Sequence, residues 1–151
     1  MQVGDIMTAS VKTCPIGNTF ADAAKVLHDN RISSVIIVEE SGDVAGIVTE
    51  RDLVNIVADG LDPEKVTLAD RMTRDLATVE PKTDIAEAAR IMAERTIRHL
   101  PVVDKGGLRG IVSIRDLWKW ALEELTAGHE LPDMERSHAA LSAAVKVHRG
   151  K

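Results

Sequence analysis

The 151-residue sequence has few aromatic residues and a single cysteine. With two Trp, one Phe and no Tyr, a core must be built from aliphatic side chains, and aromatic platforms on which nucleic-acid bases stack are scarce. Because Cys14 has no second cysteine to pair with, an intramolecular disulfide and a multi-cysteine zinc site are excluded. A formal net charge of −5 argues against a surface that binds a polyanion along its length, but it leaves room for a local basic pocket.

Long apolar runs are also missing. No stretch approaches the roughly 18 consecutive apolar residues of a membrane span. The first residues, MQVGDIMT, lack both the positive charge and the apolar run of a signal peptide. Together with the single cysteine, which is typical of a reducing compartment, these absences predict a soluble, cytoplasmic protein without a membrane partner.

What the sequence does contain is a long internal repeat. The segment DIMTASVKTCPIGNTFADAAKVL from Asp5 aligns with DRMTRDLATVEPKTDIAEAARIM from Asp70, 65 residues later. Each copy closes on nearly the same eight residues, GIVTERDL from Gly46 and GIVSIRDL from Gly110. The repeat predicts two copies of one structural unit, at residues 1–60 and 61–126, followed by a helical tail at 127–151.

Both copies predict the same order of elements: strand, helix, two strands and a second helix. Apolar residues recur at helical spacing from Phe20 and again from Ile85. The apolar runs that follow, Val35–Val38 and Leu100–Val103, do not alternate, as expected for strands buried on both faces. Since one copy alone would bury little surface, the sequence predicts an α/β (α+β) fold in which two β-α-β-β-α units pack sheet to sheet across a pseudo-twofold axis.

The closing octapeptides contain the chemically interesting residues. Thr49-x-x-Asp52 and Ser113-x-x-Asp116 have the spacing of a helix N-cap and its third residue, so helix capping alone explains the bare pattern. Each motif also follows a G-I-V strand, and the junction of a strand end with a helix N-terminus favours ligand binding. A carboxylate at such a junction can accept hydrogen bonds from the hydroxyls of a ribose. The residues alone leave both explanations open.

The tandem units, the strand motifs ISSVIIV and IRHLPVVD, and the closing GIVTERDL and GIVSIRDL resemble a pair of cystathionine-beta-synthase (CBS) domains, known as a Bateman module. The resemblance covers roughly residues 3–125. It implies a regulatory module with two clefts between its repeats that bind adenosine-containing ligands, the ribose being held by the [S/T]-x-x-D element. AMP, ADP or ATP are the ligands expected first, with NAD or S-adenosylmethionine as alternatives and no required cofactor.

Carried over residue by residue, the resemblance implies two unequal sites. The first cleft would hold the ribose with Thr49 and Asp52, and it would be completed by Val11, Thr13, Arg98, His99 and Arg115. The second would use Ser113 and Asp116, together with Leu76, Thr78, Ser33, Ser34 and Arg51. Because Ser33 and Ser34 stand where the first cleft has Arg98 and His99, we expect the second to bind anions more weakly.

Other classes of function stay open. No nucleophile, base and orienting residue form a recognisable catalytic motif and there is no P-loop, so we predict that the chain is not an enzyme. The rival hypothesis is a homodimeric interaction scaffold with vestigial clefts that holds a regulated partner; nucleic-acid binding ranks below it because of the acidic balance. In the tail, His129, Glu130, His138 and His148 fit no known metal-ligand spacing, and no metal site is predicted.

Overall fold

The computed structural model describes residues 1–127 and divides into two compact units, Met1–Leu117 and a second that begins at Trp118. Both sequence repeats lie in the first unit, up to the start of the last helix. The predicted tail lies outside the described residues apart from Ala127, and so do the four candidate metal ligands His129, Glu130, His138 and His148.

The order of elements follows the repeat. The first copy contains α1 Val3–Ile6, β1 Thr13–Pro15, α2 Phe20–Asn30, β2 Ser34–Val38, β3 Val44–Thr49 and α3 Glu50–Ala58. The second contains α4 Leu68–Arg71, α5 Ile85–Arg95, β4 His99–Asp104, β5 Gly107–Ser113 and α6 Ile114–Thr126. The mixed α/β class and the repeated helix, strand, strand, helix order agree with the sequence prediction.

The first strand of the second copy is shorter than predicted. In the first copy, β1 pairs with β2 in parallel, and the Ile36 amide donates to the Lys12 carbonyl over 3.3 Å. The equivalent of Ile36 is Pro101, which has no amide hydrogen to donate. The segment Leu76–Val79 therefore keeps only an isolated parallel bridge between Val79 and Val102 instead of a strand.

The two sheets are built alike and each is extended by the other copy. One has the order β1-β2-β3, with β2 and β3 antiparallel, and the other pairs β4 with β5 antiparallel. Thr73, from the second copy, forms a bridge to Ile47 at the free side of β3, and Thr8, from the first copy, forms the equivalent bridge to Ile111 on β5. The lead-in segment of each copy is thus part of the partner sheet.

The short lead-in helices cross over in the same way. The Val3 amide of α1 donates to the Thr83 carbonyl over 2.8 Å, and the Leu68 amide of α4 donates to the Asn18 carbonyl over 2.8 Å. Each helix is therefore anchored on the turn that precedes the long helix of the other copy. This exchange interlocks the two repeats.

The core agrees with this arrangement. Phe20, Val35, Ile37, Val48 and Ile56 are buried together with Leu68, which comes from the second copy. In β2, Ile36 points to the opposite face from its neighbours and is also fully buried. Both faces of that sheet are therefore covered, as the unbroken apolar run predicts.

Two features are absent from the described residues. No helix among them is long and apolar enough to cross a membrane. Within residues 1–127, no three His, Cys, Asp or Glu side chains are grouped in a way that could hold a metal ion.

Candidate functional site

The Thr49-x-x-Asp52 motif lies where β3 ends and α3 begins. The Asp52 carboxylate accepts two hydrogen bonds on the same oxygen, Oδ2: one from the Thr49 amide at 2.7 Å and one from the Thr49 hydroxyl at 3.1 Å. Within the described residues, Oδ1 of Asp52 has no hydrogen-bond partner. The motif therefore caps its helix with one carboxylate oxygen and leaves the other available for a ligand donor.

The second motif has the same internal geometry at the junction of β5 and α6. Oδ2 of Asp116 accepts from the Ser113 amide at 2.7 Å and from the Ser113 hydroxyl at 2.7 Å. The second motif has one further bond, from the Asp116 amide to the Ser113 hydroxyl at 3.4 Å. Since both carboxylates are held through the same oxygen, an inequality in ligand binding must come mainly from the residues around them.

The cleft beside Asp52 has a volume of about 810 Å³ and takes its lining from both repeats. Its first-copy side is the end of β3 and the start of α3. Its second-copy side is the segment before the Val79 bridge, one face of α5 and the start of β4. Most of the lining is apolar: Ile47, Leu76, Ala77, Ala89, Met92, Ala93, Ile97, Pro101 and Ile114.

The polar lining combines both signs of charge. Arg51 and Arg98 supply two guanidinium groups, and Asp52 and Asp75 supply two carboxylates. The side chain of Asp75 is 96% exposed and 3.6 Å from Arg95, so solvent screens its charge strongly. Arg98 is likewise at the exposed rim, and it offers the forked donor that suits a phosphate or carboxylate.

His99 lies at the start of β4 and is the half-buried histidine of the cleft. Burial lowers the pKa of its imidazole, and the neighbouring Arg98 and Arg115 lower it further, while Asp116 and Glu50 oppose them. The pKa of His99 therefore lies below the ordinary histidine value, and the ring is neutral at pH 7. Its Nε2 is 2.9 Å from the Ser33 hydroxyl of the first copy.

The structure brings four of the residues assigned to the first cleft into one lining: Thr49, Asp52, Arg98 and His99. Val11, Thr13 and Arg115 are not part of that lining. Their places are taken by Leu76 and Arg51, which the sequence assignment put in the second cleft.

The crossing of the lead-in segments explains the exchange of first strands. Thr73 pairs with Ile47 on β3, so the chain that follows it, including Leu76, runs past the Asp52 motif. Thr8 pairs in the same way with Ile111 on β5, the strand that ends at the other motif. The sequence assignment paired each motif with the first strand of its own copy, and the observed cleft differs because the lead-ins are swapped.

The remaining second-site candidates lie elsewhere. Ser113 and Asp116 form the capping pair described above, and Ser33 contacts His99. Ser34 is buried at the start of β2, paired with Thr49 across the sheet. Thr78 lines a separate depression of about 510 Å³ with Glu80, Glu87 and Asp104, outside the Asp52 cleft.

Sequence reasoning missed the contribution of α5. Ala89, Met92, Ala93 and Thr96 of this helix and its cap line the cleft. Ala89 and Ala93 lie four residues apart on one face of α5 and leave room beside the helix, but no local pattern assigns that face to a cleft. Thr96 takes a left-handed conformation with φ of 55°, equivalent to Arg31 with φ of 53° in the first copy; this turn ends α5 and directs the chain into β4.

A pair of interlocked repeats with a cleft between them, bordered by a strand-to-helix acid motif, defines a tandem-repeat class of protein. The family model described as CBS domain matches residues 3–59 and 68–117, once for each repeat. The chain belongs to the CBS-domain family and carries two copies of the domain.

Relatives and solved structures agree with this assignment. A Methanopyrus kandleri protein is 37% identical over 119 residues, which are 78% of this chain and 61% of that protein. The chain therefore spans less than two thirds of that relative's length.

Among solved structures, the chain is similar to the CBS domain pair of the protein MJ0100 in complex with 5′-methylthioadenosine and S-adenosyl-L-methionine. The TM-score is 0.76 and the identity 28%, over 82% of this chain and 98% of that one. It is also similar to CBSX2 in complex with AMP, with a TM-score of 0.71 and 26% identity over 81% of this chain and 96% of that one.

Proposed function

We propose that this CBS pair is a non-catalytic sensor that binds an adenosine-containing ligand in the Asp52 cleft, with AMP, ADP or ATP as the first candidates. The observation that carries the proposal is the shared lining of one cleft by Thr49 and Asp52 from the first repeat and Arg98 and His99 from the second. A ligand that contacts both groups at once ties the two repeats together.

Each part of such a ligand has a chemically suitable surface. The adenine ring lies against the apolar wall of Leu76, Ala77 and Met92. The ribose hydroxyls donate to Oδ1 of Asp52, the oxygen that helix capping leaves free. An anionic tail faces Arg98, with Arg51 as the second cation of the lining.

The similarity to AMP-bound CBSX2 and to the MJ0100 pair with its two sulfur-containing adenosine ligands supports the class of ligand. Among adenosine-containing ligands, those with a phosphate are favoured by Arg51 and Arg98 of the lining. S-Adenosylmethionine and NAD remain alternatives within the same class, and the carboxylates of Asp52 and Asp75 are the groups that would favour a cationic tail.

The regulatory step is a shift in population. A ligand that binds better to one arrangement of the two repeats shifts the equilibrium by its difference in affinity, and no chemical step is needed. The output then passes to a second copy of the chain or to a regulated partner protein.

We assign the second site, at Ser113 and Asp116, a weaker role. The crossing of the lead-ins supports Val11 and Thr13 as its first-strand residues instead of Leu76 and Thr78. The residues equivalent in sequence to Arg98 and His99 are Ser33 and Ser34, so this site gains no cationic side chain from these two positions.

A homodimeric scaffold is the second candidate function, and exposed apolar side chains support it. Val54 and Val57 on α3 are 61% and 70% exposed. On α6, Trp118, Leu122 and Leu125 are 65%, 59% and 72% exposed. Apolar helix faces of this kind are suited to pairing with a second copy, and a scaffold of this type would not need ligand-filled clefts.

Thermal melting with AMP, ADP, ATP, NAD and S-adenosylmethionine separates the two functions. A sensor gains about 2.7 kcal/mol of stability at a hundredfold excess of ligand over its dissociation constant. A scaffold with empty clefts shows no shift with any of the five compounds, and its melting temperature depends on protein concentration instead.

A further inference from the structure

In the described part of the chain, two side-chain hydrogen bonds join the repeats, and the one from Arg71 to Asp59, over 3.0 Å, is exposed. The other is made by Ser33. Its hydroxyl oxygen is 2.9 Å from Nε2 of His99, 66 residues away, and both groups are partly buried. Ser33 itself does not line the Asp52 cleft, whereas His99 does. The effect of Ser33 on the cleft is therefore exerted through the imidazole ring of His99.

The backbone of Ser33 is tied to the acid motif. Its carbonyl accepts from the amide of Glu50, the first residue of α3, over 3.1 Å. The next residue, Ser34, is paired with Thr49 across β2 and β3. Ser33 is thus held at the N-terminus of the helix that carries Asp52, and its side chain extends from there to the opposite repeat.

The hydrogen bond has a defined effect on the ring. A neutral imidazole carries one proton, so a donor at Nε2 places that proton on Nδ1. Within the described residues, Nδ1 of His99 has no partner, so it is the ring nitrogen left for a ligand. The charged groups around the ring are Arg98 and Arg115, opposed by Asp116 and Glu50.

We propose that Ser33 is a positioning residue for the Asp52 cleft: it fixes the orientation and tautomer of His99 relative to Thr49 and Asp52. This inference rests on the proposed function. It gives Ser33, which the sequence assignment placed in the second cleft, a role in the first. A serine is suitable here because its short hydroxyl can donate to Nε2, which places the ring proton on Nδ1, the nitrogen that faces a ligand acceptor.

The two repeats have different residues at the equivalent positions around this contact. Ser33 is equivalent to Arg98 and Ser34 to His99, because each pair is separated by 65 residues. The contact equivalent to Ser33 with His99 would join Arg98 to Ser34, which has no imidazole. Contact between Ser33 and His99 is therefore available to one cleft only, and it adds a second reason for the two sites to be unequal.

The test uses the full chain and the variants Ser33→Ala and Ser33→Thr, with Ser41→Ala as the matched control. Ser41 lies in the exposed turn between β2 and β3, where its hydroxyl donates to Asp43, so its substitution removes a hydroxyl that does not bond His99. Nitrogen-15 correlation spectra of the imidazole rings report the tautomer of His99, and His99→Gln identifies its signals. Calorimetry with AMP reports the affinity of the same samples.

We expect one neutral tautomer of His99 at pH 7 in the wild type, in Ser41→Ala and in Ser33→Thr. In Ser33→Ala we expect a mixture of tautomers and a loss of AMP affinity of about 2- to 10-fold, the range for one lost hydrogen bond. An unchanged tautomer, an unchanged affinity, or a Ser33→Thr variant that behaves like Ser33→Ala would each overturn the positioning role.

The two proposals fail in distinguishable ways. If the wild type binds no adenine nucleotide, the proposed function falls. The spectra of the ligand-free protein still decide whether Ser33 holds the His99 ring, because they need no ligand.

Discussion

Gly46 of β3 lies directly against Met72 of the second repeat: a β-carbon at Gly46 would be 2.7 Å from the Met72 sulfur and 2.7 Å from the Thr73 carbonyl oxygen. Gly110 of β5 has the same relation to Met7, with a distance of 2.7 Å to its sulfur. These glycines allow each lead-in segment to join the sheet of the other repeat. The glycine that begins both octapeptides therefore leaves the space in which the lead-in segment crosses to the other repeat's sheet.

Gly46→Ala should destabilise the fold. The added methyl group meets the Thr73 backbone, which cannot move without breaking the bridge to Ile47, and we expect a loss of about 1–3 kcal/mol in the free energy of unfolding. Urea unfolding measures it. Gly17→Ala is the control, because a β-carbon there meets nothing within 4 Å. Equal midpoints for the two variants would contradict the close approach.

Loss of the ribose 2′-hydroxyl should weaken binding. If Oδ1 of Asp52 accepts from the ribose, 2′-deoxy-AMP leaves the carboxylate without a donor, and affinity should fall by about 1–3 kcal/mol. Calorimetry with AMP and 2′-deoxy-AMP on the same protein measures the difference. Undiminished binding of the deoxy nucleotide would remove Asp52 from the ribose.

Arg98→Gln should distinguish the phosphate from the nucleoside. We expect AMP to lose about 1–2 kcal/mol of binding free energy and adenosine, which has no phosphate, to lose little. Arg109→Gln is the control with the same change of charge, since Arg109 pairs with Asp104 outside the cleft lining. A similar loss for AMP and adenosine would mean that Arg98 does not contact the tail.

The pKa of His99 makes a contribution to stability that depends on pH. The folded-state value lies below the unfolded one of about 6.5, because burial disfavours the charged ring. The unfolded chain therefore binds the proton first, and this part of the stability is present above about pH 6.5 and is lost as the pH falls through the folded pKa.

Urea unfolding of the wild type and of His99→Gln between pH 7.5 and 5 measures that contribution. We expect the wild type to lose more stability than the variant as the pH falls. The lowered carboxylate pKa values of Asp22, Asp70 and Asp104 act only in more acidic solution. Parallel curves for the two proteins would show that burial does not disfavour the charged His99 ring.

Much of the fold follows from periodicity in the sequence. The 65-residue offset, the helical spacing from Phe20 and the unbroken apolar run at Val35 correspond to observed elements. The shortened strand before Val79 was also open to prediction, because Pro101 cannot donate to it. The exchange of the lead-in segments could not be predicted, because local sequence pattern does not determine which of two similar sheets a short segment joins.

The candidate site was predicted only in part, because some of its residues are identified by local spacing and others by long-range topology. Motif residues such as Thr49 and Asp52 are identified by their own spacing, wherever the chain goes afterwards. Leu76 and the α5 wall depend on long-range topology, and no local signal assigns them to one cleft. The bond between Ser33 and His99 depends on the relative placement of two strand ends, which only the folded pair defines.

The central claim is that the Asp52 cleft is the better adenosine site, and calorimetry of AMP binding to Asp52→Ala and Asp116→Ala tests it most directly. Each variant loses an equivalent cap, worth about 1 kcal/mol of stability, so the two control for each other's fold. We predict that Asp52→Ala loses about 1–3 kcal/mol of AMP binding free energy and that Asp116→Ala loses less. Equal losses, or a larger loss in Asp116→Ala, would contradict the account.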